Sequence, residues 1–276
     1  MDRRELLRLG AGAALASMLP ACGRDRDAPA ATMGDVETLT YGDDPSQKAE
    51  LHRPEGSSRG VVVVLHGGFW LAAYDFTLGR PLAESLAARG WTALNLEYRR
   101  VGNGGGFPET FDDVTAGIDR LADVDGLDTS RVIALGHSAG GHLAVWAAGI
   151  AKLDDDRWRP RVSVTTAVSQ AGVLDLRGAV DRGLGGGAVE GFLGDDRDGR
   201  YDVADPLARV PLDVPVVCIH GRDDQNVPIE QSRTYVDAAR AEGAAADLVA
   251  VDGDHFVLID PSSAAWTRTL QILDEL

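Results

Sequence analysis

The strongest constraint on this chain is a hydrophobic period that changes repeatedly from Val61 onward. Val61, Val62, Val63, Val64 and Leu65 form an unbroken apolar run, the pattern of a strand buried on both faces. Residues 78–89 then carry apolar side chains at helical spacing and end at Gly90. The alternation recurs, with strands predicted at 92–96, 131–136, 162–168, 214–219 and 247–251 and helices at 111–124, 139–150, 229–241 and 264–273. In the 111–124 helix, Phe111, Val114, Ile118, Leu121 and Ala122 share one face. Strands alternating with helices imply an α/β domain whose mostly parallel sheet is covered on both sides. The exception is 174–211, a long stretch without clear periodicity that contains Gly185-Gly186-Gly187, and it is expected to form a small lid.

Charge narrows the partners. The 276 residues include 27 Lys and Arg against 43 Asp and Glu, a formal net charge of −16. Such a field repels phosphate backbones and anionic headgroups, so nucleic acid is excluded as a partner. The only cysteines, Cys22 and Cys218, cannot build a disulfide framework, and zinc-type Cys/His spacing is absent from the sequence.

The first residues have a separate logic. Arg3, Arg4 and Arg8 precede an uncharged stretch at 9–21, too short to span a bilayer but suited to the core of an export signal. The arginine pair resembles a twin-arginine signal, and Leu19-Pro20-Ala21-Cys22 resembles a bacterial lipoprotein processing site. The expectation is an export signal at 1–21, lipidation at Cys22, a tether at 22–36 and a body at 37–276, with membrane contact only through the lipid. Plain export with cleavage nearby is the alternative.

The most specific local pattern is Gly136-His137-Ser138-Ala139-Gly140, a G-x-S-x-G placed between a predicted strand and a predicted helix. A sharp strand-to-helix turn strains the serine backbone and lifts its hydroxyl above the sheet, and the helix start directs free N–H groups to the same point. Ser138 is thus the candidate nucleophile. A serine hydroxyl needs a base, and in this topology an acid and then a histidine follow it in sequence. Of the six histidines, His52, His66, His137, His142, His220 and His255, only His255 follows the candidate acids. After the 214–219 strand comes His220-Gly221-Arg222-Asp223-Asp224-Gln225-Asn226-Val227-Pro228, in which Asp223 or Asp224 could reach an imidazole. The turn resembles H-G-x-x-D-x-x-V-P of serine hydrolases, which favours Asp224. His66-Gly67-Gly68-Phe69-Trp70 follows the first strong strand and can offer the N–H groups of Gly68 and Phe69, joined by that of Ala139, to an oxyanion. Trp70 and Tyr74, with Phe69, are candidates to line a substrate pocket.

Together, the His66 to Trp70, Gly136 to Leu143, His220 to Pro228 and His255 to Pro261 motifs resemble those of α/β-hydrolase-fold esterases. The similarity is greatest to the feruloyl-esterase-like and kynurenine-formamidase-like branches. The resemblance implies an eight-stranded, mainly parallel sheet, of which patterning reveals six strands. It also implies hydrolysis of a small-molecule carboxylic ester through an acyl-enzyme, with no metal or organic cofactor. Arylformamidase activity on N-formylkynurenine is an alternative, and so is a non-catalytic exported binding protein on the same scaffold.

Overall fold

The computed structural model describes residues 36–276 apart from Asp154 and Asp196. The expected leader at 1–21, Cys22 and all but the last residue of the expected tether lie outside the described residues. Eight strands form one sheet: β1 (Val36–Thr40), β2 (Lys48–His52), β3 (Val61–Leu65), β4 (Thr92–Leu96), β5 (Val132–His137), β6 (Thr166–Gln170), β7 (Val216–Gly221) and β8 (Ala246–Val251). Their order is β1-β2-β4-β3-β5-β6-β7-β8. From β4 to β8 all neighbours are parallel, and β1 and β2 close one edge in antiparallel pairing.

The fully apolar β3 follows from its place between β4 and β5. Side chains alternate between faces, so Val61, Val63 and Leu65 enter one apolar cluster while Val62 and Val64 enter the other. The first cluster packs under α2 (Glu109–Asp119) and α3 (Ala139–Ala148). The second packs under α1 (Arg80–Ala87) and α8 (Ala264–Glu275). Burying one such valine contributes roughly 1.5–3 kcal/mol, so a polar residue here would sacrifice one face or the other. A third cluster lies between β7 and α7 (Glu230–Ala241) and holds Cys218, whose thiol burial pushes up to about 12.

The 174–211 insertion is built from short helices: α4 (Leu176–Asp181), α5 (Ala188–Leu193) and α6 (Arg197–Ala204). It is stitched into the core. Phe192 of α5 stacks on Trp70 at 4.7 Å and 17° and meets Phe111 edge-on at 5.4 Å and 72°. At the base of the insertion, Asp205 is buried and its Oδ1 accepts from the N–H groups of Leu176 (3.1 Å) and Leu207 (3.2 Å), tying its two ends together.

Burial, reinforced by the nearby charge of Asp175, raises the Asp205 carboxyl to about 6. Because the folded-state value lies above the unfolded one, the folded protein binds the extra proton. The cost of ionisation is therefore full above pH 6 and disappears as pH falls toward 4. Asp205→Asn keeps an oxygen for both N–H donors, so the variant is expected to be more stable than the wild type by about 3 kcal/mol at pH 7 and close to it near pH 4. Urea unfolding at the two pH values checks this, and a difference that does not change with pH would count against it.

Candidate active site

The turn after β5 carries the serine. Ser138 has φ 55° and ψ −120°, a conformation that L-residues avoid and that costs roughly 1–3 kcal/mol. It is held from both sides: its N–H donates to the Gln170 carbonyl at 2.8 Å, and its own carbonyl accepts from the His142 N–H at 3.1 Å. The flanking glycines are required by close approach. A Cβ on Gly136 would lie 2.0 Å from the Gly140 carbonyl oxygen, and one on Gly140 would lie 2.1 Å from that of Leu65. α3 starts at Ala139, immediately after the serine, and its dipole favours negative charge there.

Two loops beyond β7 and β8 bring in the other partners. His255 Nδ1 lies 2.6 Å from Asp224 Oδ2, with both side chains buried. The second Asp224 oxygen accepts from the N–H groups of Asn226 (2.8 Å) and Val227 (2.9 Å). Burial alone would raise the Asp224 carboxyl, but hydrogen bonds from His220, His255 and the Val227 N–H outweigh it and hold the group well below the usual carboxylate range. An ionised carboxylate only accepts, so the proton of this contact sits on His255 Nδ1 and leaves Nε2 with a free lone pair.

Two histidines that no sequence signal had placed in the site support this pair. His220 Nε2–H donates to the Val227 carbonyl at 2.8 Å and lies 3.4 Å from Asp224 Oδ2, and its Nδ1 accepts from the Ser232 hydroxyl at 2.8 Å. His137 Nε2–H donates to the His255 carbonyl at 2.9 Å. Burial, followed by the neighbouring His255, lowers His137 to about 3, so it stays neutral and can hold this single tautomer. The motif letters around each residue marked the turns but not these second contacts.

The loop after β3 supplies the expected donors. Among the described residues, the N–H groups of Gly68, Phe69 and Ala139 donate to no protein acceptor. His66 is buried, stacked on Tyr98 at 4.4 Å, and its Nδ1–H donates to the Gly67 carbonyl at 2.8 Å. In a trans peptide the carbonyl and the next N–H point in opposite directions, so this bond turns the Gly68 N–H away from the His66 ring. Phe69, with φ 51°, is a second strained non-glycine residue beside Ser138 in the site.

Ser138 and His255 line one cleft of about 560 Å³, counting its open mouth. Phe69 and Tyr74 line it too, as do Leu78, His137, Asn226, Phe256 and Ile259. Trp70 does not, which corrects the expectation that it lines the substrate pocket. Its φ of 56° turns the ring inward, where it is fully buried, stacks on Phe192 and donates from Nε1 to His142 Nδ1 at 3.3 Å. Asp223 is exposed, away from the imidazole that Asp224 holds.

Comparison with known proteins bears on the family and the fold. The BD-FAE family model matches residues 50–238. An isoprenylcysteine alpha-carbonyl methylesterase from Arabidopsis thaliana is 27% identical over 237 residues, covering 78% of this chain and 55% of that protein. Esterase LipC from Mycobacterium tuberculosis is 30% identical over 222 residues, covering 74% of this chain and 54% of its own length. The chain thus spans about half the length of these curated relatives. Among solved structures, Thermogutta terrifontis esterase 2 phosphonylated by sarin aligns with a TM-score of 0.71 at 23% identity, over 87% of this chain and 93% of that one. Esterase B from Lactobacillus rhamnosis, inhibited by a tributyrin phosphonate, aligns with a TM-score of 0.76 at 21% identity, over 87% and 85%. These likenesses show a shared fold.

Proposed function

The chain belongs to the BD-FAE family and has the α/β-hydrolase fold, and from that premise we propose that it hydrolyses small carboxylic esters through an acyl-enzyme on Ser138. The observation that carries this is the cleft shared by Ser138 and His255, with Asp224 bonded behind the imidazole. His255 Nε2 takes the Ser138 proton as Oγ attacks the carbonyl carbon. The oxyanion is met by the N–H groups of Gly68, Phe69 and Ala139, each donor contributing about 3 kcal/mol to lowering the barrier. The imidazolium, held by Asp224, gives its proton to the departing alcohol, and water then repeats the sequence on the acyl-enzyme.

Turnover of p-nitrophenyl acetate by the purified protein, together with covalent capture of Ser138 by a labelled fluorophosphonate, tests the proposal. A protein that neither turns over the ester nor takes the label would be a binding protein on this scaffold. Turnover of N-formylkynurenine at a higher rate than of the ester would assign a formamide bond instead.

The leader features support a further proposal, that the chain is exported and tethered by a lipid on Cys22. Intact mass from the membrane fraction is expected to show Cys22 as the acylated N-terminus. A mature chain that still carries residues 1–21 would overturn it.

A further inference from the structure

Among the described residues, six large hydrophobic side chains are exposed, and three of them meet in the cleft: Tyr74 (47%), Leu78 (38%) and Phe256 (55%). Scattered exposed hydrophobics need no explanation, but a cluster at the mouth of a cleft that holds the nucleophile marks a surface that is covered when substrate binds. The lining contains no carboxylate, ammonium or guanidinium group, in a chain whose net charge is −16. His255 must deliver a proton to the leaving oxygen, so the leaving group occupies the side of the cleft next to its imidazole. Phe256 follows it directly in the chain, and its ring stands edge-on to that imidazole at 5.3 Å and 85°.

We infer that the leaving alcohol lies against Phe256, with Tyr74 and Leu78 completing the apolar wall, so that the site selects uncharged esters of bulky apolar alcohols. The inference rests on the esterase reading above and deepens it by naming the alcohol. Acetates of different alcohols share one acetyl-enzyme, so differences in kcat/KM among them report acylation alone. The informative set is methyl acetate, 3,3-dimethylbutyl acetate and acetylcholine, the last being the cationic isostere of the second.

Wild type is expected to prefer 3,3-dimethylbutyl acetate over methyl acetate, and over acetylcholine because no carboxylate in the lining offsets the desolvation of the ammonium group, a cost that outweighs the pull of the aromatic rings. In Phe256→Ser the preference for 3,3-dimethylbutyl over methyl acetate falls about tenfold, the loss of contact with roughly two methylene groups. Phe256→Leu retains most of it. Any disturbance of the adjacent His255 affects both esters alike and cancels in the ratio. A ratio that does not move in Phe256→Ser, or acetylcholine turned over faster than its neutral isostere, would overturn the inference while leaving the esterase reading intact. Failure of wild type to hydrolyse any of the three would defeat that reading itself and this inference with it.

Discussion

Ser138→Ala is expected to lower p-nitrophenyl acetate turnover by a factor of about 10⁴ to 10⁶, leaving only what oriented binding and the oxyanion donors supply to water. No other side chain lining the cleft can take its place: the tyrosine hydroxyl of Tyr74 lacks a bonded base, and His137, His255 and Asn226 offer no hydroxyl or thiol. The substitution leaves the elbow itself alone. Alanine carries a Cβ as serine does, so the left-handed backbone at position 138 costs the same in both, and the two bonds that hold it, to Gln170 and from His142, are made by main-chain atoms. Thermal unfolding should therefore barely shift while turnover and fluorophosphonate capture both vanish. A folded variant that keeps wild-type turnover would move the nucleophile elsewhere.

How much of this was legible in the sequence depended on how local the cause was. β3 could be read because burial on both faces demands a continuous apolar run, and the serine turn could be read because a strand, a strained residue and a helix start lie within a few consecutive positions. β1 and β2 escaped because they form the antiparallel edge. Four of the five β1 residues are exposed, and β2 places Glu50 beside Arg80, so neither shows an apolar run. The insertion escaped because α4 and α5 span only six residues each, less than the length over which a helical period becomes visible. That gap also misplaced Trp70. Its partner Phe192 sits in α5, and without α5 nothing indicated that the indole turns toward the core. Leu78, Asn226 and the turn that carries Phe256 and Ile259 come from three segments far apart in the chain that meet only in three dimensions, and no spacing rule links them.

The choice between two adjacent acids provides the second large effect. Asp224→Asn is expected to reduce kcat about 10⁴-fold, because an amide can donate where the carboxylate only accepted, and the imidazole then turns over to the tautomer that carries its proton on Nε2. Asp223→Asn should stay within about twofold, since an exposed side chain contributes little to a buried site. Stability supplies a readout independent of activity. The Asp224 carboxyl is held below its unfolded value, so its contribution is fully present above the ordinary carboxylate range, near pH 4, and is lost as pH falls through the folded value. The wild type should therefore exceed Asp224→Asn in unfolding free energy at pH 6, and the gap should narrow on going to pH 2 as the unfolded wild-type chain takes up a proton that the folded carboxylate still resists. If instead Asp223→Asn lost activity while Asp224→Asn kept it, the 2.6 Å contact with His255 would have to be structural, and the ring would need a different orienting group.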